Sequence, residues 1–258
     1  MYYLTLLLGS ILSLYAPQKE KLVWSDEFNY SGLPDPKKWS YETGSIRNKE
    51  LQYYTSGRKE NARVEDGNLI IEARLDSLDV NGKKVPVSSA CINTAGIAEW
   101  KYGKIEVRAK IPSSLGTWPA IWMLGTDRQK LGWPKTGEID IMENVGFDPE
   151  NIHTNIHTEA YNHVKKTNKG KITPVNQPYA DFHIYSINWT KDKIDFMIDK
   201  NLVFTFSNEG TGSATWPYDK PFYLILNLAF GGSWGGQKGV DLKTLPQKFY
   251  IDYVRVYQ

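Results

Sequence analysis

An all-β sandwich of two sheets is the fold class this sequence predicts, and three observations predict it. Short apolar or alternating runs recur along the chain, 21 glycines and 13 prolines punctuate them, and no window of about a dozen residues keeps a 3.6-residue apolar period. At 258 residues the chain suits one ordinary domain, or at most two. A two-sheet core of this size buries enough surface to fold without disulfides.

The most regular strand is expected at 104–111. Ile105, Val107, Ala109 and Ile111 take one face there, and Lys104, Glu106, Arg108 and Lys110 the other. Shorter strands are expected at 68–73, 183–189, 194–198 and 202–206, with Asp199-Lys200-Asn201 as the hairpin turn between the last two. Residues 222–228 are apolar almost throughout, the pattern of a strand covered on both faces. Residues 4–14 form an apolar run too short to span a bilayer and read as the hydrophobic region of a secretory signal. A charged linker follows, so 1–21 are assigned to signal and linker and 22–258 to the domain. The expected location is outside the cytoplasm: secreted, periplasmic or at the cell surface.

Composition narrows the partners. Lys plus Arg number 31 against 29 Asp plus Glu, a net charge of +2 with no basic block. Nothing there offers a footprint for nucleic acid or an anionic membrane. The single cysteine, Cys91, excludes an internal disulfide framework and any multi-cysteine zinc or iron–sulfur site. Aromatic residues make up 13% of the chain, with nine Trp and sixteen Tyr. That surplus over core packing points to a flat ligand with an apolar face. A monomer is expected.

The segment from Trp133 to Asn144 carries the chemistry. Glu138, Asp140 and Glu143 fall within six residues. In a regular strand Glu138 and Asp140 share a face with Ile139 and Ile141 on the other, which leaves Glu143 on the apolar side. A bulge at Ile141 or Met142 inserts one unpaired residue and returns Glu143 to the face of its fellow acids. Three like charges on one face repel, so at least one holds its proton at neutral pH. Over four effective strand steps the glutamate Cα atoms lie about 13 Å apart. Inward-leaning side chains then bring the carboxyls to about 5 to 5.5 Å, the separation of retaining glycosidases. A solvated acidic strand edge or a salt-bridge ladder is the alternative.

The segment Glu138-Ile-Asp-Ile-Met-Glu143 resembles the bulged catalytic signature of glycoside hydrolase family 16, in particular its bacterial laminarinase-like members. The likeness extends through Trp24-Ser-Asp-Glu-Phe28, Asn48-Lys-Glu-Leu-Gln-Tyr-Tyr54, Gly103-Lys-Ile-Glu-Val-Arg-Ala-Lys110, Gly116-Thr-Trp-Pro-Ala-Ile-Trp-Met-Leu124 and Asp252-Tyr-Val-Arg-Val-Tyr257. It implies a jelly-roll sandwich of two antiparallel sheets with a concave cleft for a β-glucan. It also implies an endo-acting hydrolase cutting β-1,3 bonds of laminarin-like chains, and of mixed β-1,3/1,4 chains, by double displacement. Glu138 then matches the nucleophile, Glu143 the general acid/base, and Asp140 the neighbour that tunes the nucleophile. No cofactor takes part. The alternatives are a mixed-linkage-specific licheninase, a related agarase, carrageenase or transglycosylase, and a non-catalytic glucan-binding module, against which the three intact acids speak.

The same resemblance assigns the sugar contacts. Trp118 and Trp122, at i and i+4, share a strand face and match subsite walls; Trp133 stands near the nucleophile strand. Asn48 matches a position that touches sugar hydroxyls, and His157 one on the acid/base side. Trp234, in the glycine-rich loop 231–236, is a further candidate. Isoleucines alternate with His153 and His157, which argues against a helical zinc motif, and His183 reads as a strand histidine with a structural partner. Asp252 shares a face with Val254 and Val256 and needs a partner, either a salt bridge or, as in relatives, a structural calcium ion held together with backbone carbonyls at the positions of Glu27 and Gly67. Cys91 stands where many relatives carry a basic residue, and reads as a small buried filler.

Overall fold

The computed structural model describes residues 20–258. The expected signal region, up to residue 19, lies outside the described residues. Seven strands form one sheet, in the spatial order β12 (Lys169–Pro174), β11 (Asn151–His157), β10 (Glu138–Glu143), β9 (Thr117–Gly125), β16 (Phe222–Phe230), β7 (Cys91–Asn93) and β2 (Ser40–Glu42). The second sheet runs β15 (Asn201–Ser207), β14 (Lys193–Ile198), β13 (His183–Trp189), β8 (Gly103–Lys110), β17 (Gln247–Tyr257), β5 (Asn68–Val80), β6 (Lys83–Ser89) and β3 (Gln52–Tyr54). β1 (Leu22–Asp26) pairs with β17, and β4 (Ala62–Glu65) with β5. Among the described residues the helices are α1 (Arg128–Leu131), α2 (Gly232–Gly235) and one 3-10 turn, Leu242–Thr244.

Alternation builds the core between the sheets. Ile105, Val107 and Ala109 of β8 and Ile187 of β13 meet Ile121 and Met123 of β9, Ile139 of β10 and Leu224, Leu226 and Leu228 of β16, all in one buried cluster. β16 is buried along its whole length, as its apolar run requires. Its opposite face, Tyr223 and Ile225, packs with Tyr54, Cys91 and Leu124 in a second cluster, against which Trp122 and Trp133 lie. Five of the nine tryptophans, Trp24, Trp39, Trp100, Trp189 and Trp216, belong to the main core. The aromatic surplus is therefore shared between packing and the cleft.

Three expectations are corrected. The strand expected at 68–73 continues to Val80, because Asn81 and Gly82 both take positive φ (53° and 78°) and turn the chain back into β6. Asn-Gly is the preferred pair for such a two-residue turn, since both positions need left-handed backbone. Lys21, assigned to the linker, exchanges backbone hydrogen bonds with Gln258 and so extends the β1–β17 pairing. Asp252 does not share the inward face of Val254 and Val256. The β17–β8 register shifts between Ile251 and Tyr253, and the extra residue turns Asp252 outward to pair with Arg108.

Candidate active site

A cleft of about 690 Å³ lies across the seven-stranded sheet, walled by side chains of β9, β10, β11 and β12 and by loops on either side. The bulge in β10 fixes its chemistry. Asp140 pairs with Asn155 and Glu143 with His153, three residues advancing against two on β11. Against β9 the shift falls between Asp140 and Met142. Ile139, Ile141 and Met142 are consequently buried in the core, while Glu138, Asp140 and Glu143 all line the cleft.

Each glutamate is held by its own indole. Trp133 Nε1 donates to Glu138 Oε2 at 3.0 Å, and Trp118 Nε1 donates to Glu143 Oε1 at 3.0 Å. Trp122, four residues beyond Trp118 and on the same face of β9, donates from Nε1 to Asn227 Oδ1 at 2.8 Å. Tyr218, fully buried, donates to the backbone carbonyls of Glu138 and His157 at 3.0 and 3.2 Å and ties β10 to β11 from below. Burial pushes all three carboxyls up to about 8, and the charge of Asp140 adds to this at Glu138 and Glu143. Three acids this close titrate as one coupled set.

His157 reaches the cleft, but not where the sequence places it. The β10–β11 register sets it opposite Glu138 and sets His153 opposite Glu143. His157 Nε2 stands 3.3 Å from Asp140 Oδ2 and 3.6 Å from Glu138 Oε1. The histidine on the Glu143 side is His153, whose ring meets Trp234 edge-on at 4.8 Å. Trp234 also meets Trp118 edge-on at 5.2 Å, so the glycine-rich loop does contribute a cleft wall. That loop is seated by Ser233 N, which donates to the Asn48 carbonyl at 2.8 Å. At Gly232 the φ of +78° and the 2.9 Å from a would-be Cβ to Asn48 O leave room for glycine alone.

Asn48 lines the cleft with φ +54°, and its amide donates to Glu50 Oε1 at 3.1 Å. Glu50 also accepts from Gln52 at 2.6 Å and Tyr54 at 3.3 Å, and burial raises its pKa. Glu50, Arg47, His153 and Asn227 were not singled out as cleft residues from sequence. Glu50 lies within the quoted Asn48–Tyr54 motif, and His153 alternates with His157, so both carried a signal. Cys91 is fully buried beneath the cleft, its thiol 3.2 Å from Glu42 Oε2 and its pKa raised to about 12 by burial. His183 is paired with Asp199 at 3.0 Å. On the other sheet Glu27 forms a two-armed pair with Arg255 at 2.9 and 2.7 Å, and Asp252 pairs with Arg108. The carboxylate of the expected calcium group, Asp252, is thus already paired with a guanidinium.

Residues 49–255 match the family Glycosyl hydrolases family 16. The chain is a member of this family. A β-glucanase of Rhodothermus marinus is 51% identical over 98% of the chain and 90% of its own length. Among solved structures, SCLam, described as a non-specific endo-β-1,3(4)-glucanase of the family, superposes with a TM-score of 0.89 at 51% identity, over 94% of this chain and 92% of that one. The laminarinase of Rhodothermus marinus gives a TM-score of 0.88 at 50% identity, over 93% and 97%. The two-sheet architecture is the family's jelly roll. Glu138, Asp140 and His157 bring donor atoms within 4.8 Å of one another, a spacing a metal would accept, but family 16 hydrolysis needs no cofactor.

Proposed function

We propose that the chain is an endo-acting, retaining β-glucan hydrolase that cleaves β-1,3 bonds in laminarin-like chains and accepts mixed β-1,3/1,4 chains. One observation carries this reading: Glu138 and Glu143 face one cleft across a bulge, each carboxyl gripped by a separate indole N–H. The substrate class is supported by the relatives described above. Indoles on the cleft walls suit the apolar faces of glucose rings, and amides and acids between them suit the hydroxyls.

Glu138 acts as the nucleophile. It accepts the Trp133 N–H and has His157 Nε2 3.6 Å from its Oε1; both favour its ionised form against the burial that raises it to about 8. Glu143, raised to about 8 by burial, keeps its proton at neutral pH and passes it to the departing glycosidic oxygen as the C–O bond breaks. The anomeric carbon is then bonded to a Glu138 oxygen. Glu143, now ionised, takes a proton from water, whose oxygen displaces Glu138 with net retention. Asp140, also raised, shares its proton with Glu138 and holds that carboxylate in place.

Chromatography of products from laminarin, lichenan and cellulose tests the substrate class, with ladders of short products expected from the first two. Activity on lichenan alone would instead select a mixed-linkage-specific enzyme, and binding without cleavage a glucan-binding module. Under the same proposal the enzyme works outside the cytoplasm, and N-terminal sequencing of exported protein would show removal of a leader within residues 1–21. A structural calcium held by Asp252 and the backbone carbonyls of Glu27 and Gly67 would show as a rise in Tm on adding calcium, against the Arg108 pair that Asp252 already makes.

A further inference from the structure

Arg47 belongs to no element of the mechanism above, yet its side chain is built into the cleft. It follows an irregular stretch after β2 and precedes Asn48 and Lys49, both with φ +54°. Its guanidinium carbon lies 4.9 Å from the ring centre of Trp122, a stacking distance for a planar cation on an indole face. Nη2 is anchored on Glu42 Oε2. Glu42 is itself flanked by Arg128 Nη1 at 3.6 Å and by the Cys91 thiol, so the anchor is fixed from several sides. The Arg47 side chain is only 18% exposed, and Nη1 is buried without a hydrogen-bond partner. A buried cationic donor left unpaired is costly, and the place where such a cost is recovered is a ligand. The Trp122 N–H is committed to Asn227 and the guanidinium lies over the ring, so a sugar on this part of the wall meets the guanidinium.

We propose that Arg47 is a specificity-determining residue of the cleft: anchored by Glu42 and stacked on Trp122, it donates from Nη1 to a hydroxyl of the glucosyl unit bound over β9 on the β2 side of the scissile bond. The inference rests on the glucan reading and adds a named contact to it. A neutral hydroxyl is the fitting partner because Glu42 already balances the charge. Lysine cannot replace this arginine, since it lacks the planar fork that serves the anchor, the indole and the sugar together.

The test is a chain-length series of β-1,3-gluco-oligosaccharides with wild type, Arg47→Met and Arg47→Lys, with kcat and KM determined for each length. Methionine keeps an apolar stem against Trp122 and so guards against collapse of the wall. The expected result is a step. Substrates too short to reach the position are cleaved at wild-type kcat/KM, which also shows that the variants are folded. Substrates one unit longer lose about tenfold in kcat/KM, mainly through KM, as befits one charge-assisted hydrogen bond. Glu42→Gln, which loosens the anchor, gives a smaller loss at the same length. An equal loss at every length would make Arg47 a structural prop, and no loss at any length would remove it from recognition; either outcome overturns the proposal. A wild type that cleaves none of the series would instead sink the glucan reading itself.

Discussion

The indole of Trp118 donates a 3.0 Å hydrogen bond to Glu143. That bond favours the charged carboxylate and opposes the burial that raises its pKa to about 8. If Glu143 must be protonated to act, its pKa sets the alkaline limb of activity. Trp118→Phe removes the donor, so the limb should move to higher pH, by roughly one unit or less. The pH profile of kcat/KM checks this, and a limb that moves down contradicts the assignment.

Glu138→Gln should abolish hydrolysis while leaving the fold and glucan binding largely intact, because its carboxylate forms the bond to the anomeric carbon. Retained activity would exclude it as the nucleophile. Glu143→Ala should lose about 100- to 10,000-fold on unactivated substrates. On a substrate with an activated leaving group, azide should restore turnover, since the first step then needs no acid. Failure of azide rescue argues against the acid/base role.

Stability should fall as pH rises across the range in which the cluster holds protons that the unfolded chain gives up. The sign follows from the raised carboxyls. Their contribution is complete below the unfolded values near 4, and it is lost as pH rises through the folded values of about 8. Each such proton is worth up to about 1.4 kcal/mol per pH unit. Asp140→Asn removes one of them, so calorimetry should show a smaller drop in Tm between pH 5 and pH 8 than in the wild type. Parallel curves would refute the shift.

Deleting Met142 should be tolerated better than its complete burial suggests. Without it the strand reads Glu-Ile-Asp-Ile-Glu, which alternates regularly, and the second glutamate still falls opposite His153 and Ala120. The expected cost is lost packing of one buried side chain, about 2 to 5 kcal/mol, with activity within about tenfold of wild type at temperatures where the variant is folded. Complete inactivity of a folded deletion variant would mean that the bulge itself sets the acid geometry.

Much of this was legible in the sequence for physical reasons. The bulge was, because a carboxylate on the apolar face of a strand is expensive and one inserted residue relieves it. Trp118 and Trp122 were, because a period of two puts them on one face of β9. The side on which His157 acts was not, since it depends on how β11 registers against a bulged partner. The outer half of the β5–β6 hairpin was hidden because its half-buried face mixes Arg74 and Asp76 with Leu78 and Val80 and so carries no apolar period, although Asn81-Gly82 marked the turn. The outward turn of Asp252 escaped for the same reason as any single-residue slip: it reverses every side chain beyond it. Arg47 lies outside any strand, and its seat on Trp122 arises only when β2, β9 and the loop converge.

The division of the tryptophans has an optical consequence. Four of the nine stand in the cleft, and Trp118 and Trp133 give their N–H groups to the two glutamates. An indole's emission responds to a charge at its nitrogen and to the loss of water from its face. Intrinsic fluorescence of the unlabelled protein should therefore follow two events, ionisation of the acid cluster and arrival of a sugar. In a variant that no longer turns over, such as Glu138→Gln, the same signal becomes a direct binding isotherm.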